Sequence, residues 1–138
     1  MLLLWSLTAV AAGPGIAPRA RPTTPEALIA DLLEGKPSDQ LFAVRELRRL
    51  TRQKLTDLKH RDPVRSLEAK QFLVVFDEQL APACVEHLSA PKLRAQCADI
   101  LSLLETKDAL PALYRALPDA NRRSQRRIMH AIEAIEES

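Results

Sequence analysis

An all-α fold is predicted by three features of this chain. Leu and Ala dominate its 138 residues, while aromatics make up 4% and glycines number three. Apolar residues recur at three- and four-residue spacing along most of the sequence, the period of a helix with one buried face. Prolines and polar capping residues divide that pattern into short and long segments, as helix starts and stops do. The hydrophobic content of 46% is enough for one small core. A net charge of +2, from 20 basic and 18 acidic residues, gives no bulk argument for nucleic acid.

Residues 2–12 read LLLWSLTAVAA, an uncharged apolar run closed by small residues. The run matches the apolar region of a signal peptide and is well short of the ~20 residues of a spanning helix. Val10 and Ala12 suit a signal-peptidase site, so residues 1–12 are read as an export signal cleaved after Ala12. No Cys follows that would carry a lipid anchor. Residues 13–24, with their prolines and glycines, bury little and form a flexible linker. The folded domain is expected over 25–138, exported to a periplasmic or extracellular compartment.

The first helix is expected over 25–34. Thr24 caps it, Pro25 tolerates the first turn, and Glu26 suits the positive helix end. Leu28, Ile29, Leu32 and Leu33 form its apolar face, and Gly35 with Pro37 stops it. Ser38 is expected to cap a longer helix to residue 58 with Leu41, Val44, Leu47, Leu50, Leu55 and Leu58 inward. Asp62-Pro63 opens a third helix to residue 79, carrying Leu67, Phe72, Leu73, Val75 and Phe76. The run FLVVF has strand character, but its flanks LEAKQ and DEQL are helix formers. Pro82 begins a short helix to His87. Pro91 begins another to residue 105, with Leu93, Cys97, Ile100, Leu101 and Leu104 on one side. Asp108 caps a short helix carrying Leu110, Leu113, Ala116 and Leu117. The last helix, 120–137, turns Ile128, Ala131, Ile132 and Ile135 inward, with Met129 on the core side.

A short helix, a turn and a longer helix thus recur, and an Arg-x-x-x-Ala step recurs with them at Arg65/Ala69, Arg94/Ala98 and Arg127/Ala131. The intervals of 29 and 33 residues are near helical-repeat periods. Through APKLRAQCADILSLL and DALPALYRALPD with QRRIMHAIEAI, the chain resembles the HEAT-like helical repeats, mainly over residues 80–137. The resemblance implies antiparallel helix pairs stacked as a short array that binds a partner and catalyses nothing. It also implies that Arg127 pairs with acids of an adjacent repeat. An irregular helical bundle is the alternative architecture.

Cys84 and Cys97 lie equidistant from the Ala90-Pro91 turn, so a helix hairpin sets them at one height, roughly 10 Å from the turn at ~1.5 Å per residue. Small neighbours Ala81, Ala95 and Ala98 allow close approach. A Cys84–Cys97 disulfide is one reading, contributing on the order of 3 kcal/mol at most; two reduced core thiols are the other. Cys84, His87 and Cys97 also define a metal- or thiol-dependent alternative, at a spacing that matches no established zinc motif. No cofactor is implied.

Residues 41–61 hold seven basic residues against two acidic ones. At ~100° per residue, Arg45, Arg48, Arg49 and Arg52 share one face, and Arg122, Arg123, Arg126, Arg127 and His130 share another. Arginines near a helix start oppose the macrodipole, and few acids stand at i±4 to neutralise them. Arg45, Arg48, Arg49, Arg52, Arg122, Arg123 and Arg126 are therefore the candidate partner-binding residues. The expected partner is a protein with an acidic surface; an anionic membrane surface is a further candidate. Nucleic acid is disfavoured, because no aromatic stacking residues are interleaved. If the leader is not an export signal, the reading becomes a cytoplasmic HEAT-like protein with a nucleic-acid or regulatory protein partner.

Overall fold

A computed structural model describes residues 24–138, so the expected export signal and all but the last residue of the expected linker lie outside the described residues. The described chain is all-helical, with six α-helices: α1 (Pro25–Glu34), α2 (Pro37–Leu58), α3 (Pro63–Glu86), α4 (Arg94–Leu104), α5 (Leu110–Ala116) and α6 (Arg122–Glu137). Single 3-10 turns at His87–Ser89 and Lys107–Ala109 lead toward α4 and into α5. FLVVF is helical, as its flanks require.

Local chemistry sets the starts. Thr24 Oγ1 accepts from the Ala27 N–H, Asp62 from the Val64 N–H, and Asn121 from the Ser124 N–H. Each satisfies a donor that the helix leaves open. Other starts differ from the sequence reading. α2 begins at Pro37 behind Lys36, with no side-chain cap, because the fixed φ of Pro37 already suits the first turn and displaces Ser38 from the cap. α4 begins at Arg94, since residues 91–93 form a turn after Pro91. Asp108 caps nothing: it lies inside the 3-10 turn, and α5 starts without a side-chain cap. α6 starts at Arg122 behind its Asn121 cap, two residues later than expected.

The largest correction is α3, which runs unbroken through Pro82. Leu80, Ala81, Ala83 and Cys84 are all buried on its far half, so packing holds the helix past a residue that lacks an N–H. Pro82 itself is on the exposed side, as is Glu78, whose carbonyl loses that donor.

Consecutive helices pack on one another: α1 with α2, α2 with α3, α3 with α4, and α5 with α6. Beyond these pairs, α4 lies between α2 and α6 and contacts both. On the other side α1 meets α3, and the turn after α3 meets α5. One core runs between, with Leu28, Leu32, Val44, Leu47, Phe76, Leu80, Ile100, Leu101, Leu113, Ile128 and Ile135 essentially inaccessible. Burying each such side chain contributes about 1.5–3 kcal/mol. Phe72 packs its ring 4.5 Å from that of Phe76, and Lys54 Nζ sits 4.8 Å over Phe72.

The Arg-x-x-x-Ala step has one structural role throughout. Ala69, Ala98 and Ala131 are buried, and each arginine reaches a neighbouring segment. Arg65 bonds Asp57 of α2 at 3.0 Å. Arg94, itself buried, donates to the Leu88, Ser89 and Asp119 carbonyls. Arg127 bonds Asp99 of α4 at 2.8 Å. Five residues expected inward are exposed: Leu33, Leu58, Leu67, Val75 and Met129.

An arginine cleft across three helices

Because α4 separates α2 from α6, the basic faces of the two flanking helices border one concavity with α4 as its floor. Its volume is about 650 Å³, and Arg48, Arg52, Asp99, Arg123, Arg126, Arg127 and His130 line it. Arg48 and Arg52 are one helical turn apart on α2. Arg123, Arg126, Arg127 and His130 share a face of α6 by the same spacing. Asp99 projects from α4 between them.

Asp99 organises the floor. Its Oδ2 accepts from Arg48 Nη1 at 2.9 Å and from Arg127 Nη1 at 2.8 Å. The three side chains are mostly covered, with exposures of 27%, 14% and 29% for Arg48, Asp99 and Arg127, so solvent screens this bridge only in part. Charge repulsion between the two walls is thereby offset where they come nearest. Among the described residues, no hydrogen bond or ion pair engages the guanidinium groups of Arg52, Arg123 and Arg126. All three are exposed.

The seven candidate arginines therefore divide. Arg48, Arg52, Arg123 and Arg126 meet in the cleft. Arg45, Arg49 and Arg122 do not line it, and Arg49 is held by Glu46 on its own helix at 3.1 Å. Asp99, Arg127 and His130 also line the cleft, although the sequence reading does not mark them as candidate binding residues. The spacing of 127 and 130 on the arginine face signals two of them. Asp99 has no such signal, because its value depends on α4 lying between α2 and α6.

The cysteines do meet, but as free, buried thiols rather than as the disulfide considered from the sequence. Hydrogen bonding and repulsion between the two thiols add to the effect of burial, the largest cause, and the Cys84 thiol is pushed well above its ordinary range. His87 is turned to other work: its ring bonds the Ala83 carbonyl through Nδ1 at 2.9 Å and faces Gln40 Nε2 through Nε2 at 3.4 Å. Gln40 in turn donates to the Leu32 carbonyl, tying α1, α2 and α3 together. Among the described residues, no group of three or more His, Cys, Asp or Glu side chains is placed to hold a metal ion. None of the described helices is long and apolar enough to cross a membrane.

Compared with known proteins, the chain matches no family model, and no curated protein or solved structure is significantly similar to it.

Proposed function

We propose that this chain is an exported, non-catalytic helical scaffold that holds a partner protein through negative charge on the partner's surface, using the cleft between α2 and α6. The observation that carries the reading is the unpaired state of Arg52, Arg123 and Arg126 beside two arginines that Asp99 has paired. Like charges gathered on two walls weaken the free fold. A ligand that supplies the missing counter-charge offsets that cost. The lining also argues for binding rather than chemistry. Its one carboxylate, Asp99, is held through Oδ2 by two guanidiniums. The recurring Arg-x-x-x-Ala step supports a short HEAT-like array in which α2, α4 and α6 face the partner, and the apolar leader supports export.

The test is a cross-linked pull-down with the chain beginning at Gly13. Arg52→Glu, Arg123→Glu and Arg126→Glu together should abolish capture without lowering the melting temperature. Arg45→Glu with Arg122→Glu, outside the cleft, should leave capture intact. Equal capture by both variants would sink the cleft as the binding surface. Export is tested separately: N-terminal sequencing should give a mature start at Gly13, and an intact Met1 in soluble cell extract would contradict it.

A further inference from the structure

Asp99 shows how this cleft handles an oxyanion. A single carboxylate oxygen is held by two guanidiniums that arrive from opposite walls, Arg48 from α2 and Arg127 from α6. The unpaired donors repeat that division. Arg52 stands one turn from Arg48 on one wall, and Arg123 and Arg126 stand on the other with His130. A guanidinium fork pairs with carboxylate or phosphate alike. A phosphate group offers three acceptor oxygens to donors on both walls, where a carboxylate offers two. Charge favours the same ligand. Five arginines face one aspartate in the lining, and a phosphate ester brings roughly −1.5 to −2 per group, against −1 for a carboxylate. The cleft is also recessed, floored by the mostly covered Asp99, and so takes a protruding group more readily than a flat surface.

We infer that the centre of the cleft is a phosphate-group site, in which Arg52 on one wall and Arg123 and Arg126 on the other take a phosphate ester carried on the partner protein's surface above the Arg48–Asp99–Arg127 bridge. This rests on the cleft being the ligand surface and narrows its ligand. Asp99 then has a second effect: its charge opposes the incoming anion while it keeps the two nearest arginines in place.

Calorimetric titration of the full chain at fixed ionic strength tests it, with pyrophosphate as probe and hexaglutamate as the carboxylate comparator. Pyrophosphate should bind one to one, at least tenfold more tightly than hexaglutamate. Arg52→Gln with Arg123→Gln should weaken it at least tenfold with unchanged helical circular dichroism, and Arg45→Gln should leave it unchanged. Asp99→Asn, which removes the opposing charge and keeps an acceptor oxygen, should tighten it severalfold. Hexaglutamate binding as tightly as pyrophosphate, with the same loss in the arginine variant, overturns the phosphate site while the cleft stands as a ligand surface. Capture by phosphatidic-acid vesicles without binding of pyrophosphate overturns the partner protein's phosphate in favour of a lipid headgroup. Binding of neither probe overturns the inference, and partner capture that survives Arg52→Glu, Arg123→Glu and Arg126→Glu overturns the cleft reading as well.

Discussion

At the scale of single residues, geometry sharpens what residue type alone suggests. Gly35 ends α1 in an extended conformation, φ −76° and ψ 171°, which any residue can adopt. Its requirement is space: a Cβ there would lie 2.5 Å from the Asp31 carbonyl oxygen and 3.3 Å from Asp39 Cβ. Gly35→Ala should therefore cost about 1–3 kcal/mol in chemical denaturation; unchanged stability would show that the turn yields freely. Cys84 makes a second case. Its thiol is raised in the folded state, so the native protein holds that proton more tightly than the unfolded chain does. The associated stability is fully present below the ordinary thiol range and is lost as pH rises through and above it. Alkaline titration of the unfolding free energy should show this loss, and Cys84→Ala should flatten it. Native Cys84 should also resist alkylation until the chain unfolds. The sequence places both thiols at one height because hairpin symmetry needs only counting. Whether they bond depends on ångström-level geometry that no spacing encodes.

At the scale of helices, existence and type were legible, while edges were less so. Period and composition locate α1, α2, α5 and α6 within a few residues of where they form. The error at Pro82 has a definite origin. A local rule treats proline as a start, but the buried face of Leu80, Ala81, Ala83 and Cys84 carries α3 onward. The Glu78 carbonyl it leaves open lies on the exposed side, where water can replace the lost donor. Pro82→Ala restores that bond and should stabilise the protein by roughly 1–3 kcal/mol. A lower melting temperature for this variant would mean that proline is needed there to set the course of α3. The exposed Val64, Leu67, Val74 and Val75 were illegible for a related reason. The apolar positions of α3 run nearly all round the helix, so periodicity could not say which side meets a neighbour.

At the scale of the whole molecule, the arginine cleft depends on order in space rather than in sequence. Two basic faces could be read from ~100° per residue. That they share one concavity follows from α4 lying between α2 and α6, and that fact also turns Asp99 into a bridge. Arg48 and Arg127 then serve the fold, while Arg52, Arg123 and Arg126 carry charge that the free protein does not neutralise among its described residues. Arg123 and Arg126 add a further cost, since they sit in the first turns of α6 against its dipole. On the proposed function, these three arginines serve a ligand at the expense of local stability. Thermal unfolding of the chain carrying Arg52→Gln, Arg123→Gln and Arg126→Gln, without any ligand, measures it directly. A melting temperature raised by a few degrees, reflecting roughly 1 kcal/mol of relieved repulsion, is the predicted result; a melting temperature lowered by as much would make the three arginines part of the fold and contradict the account.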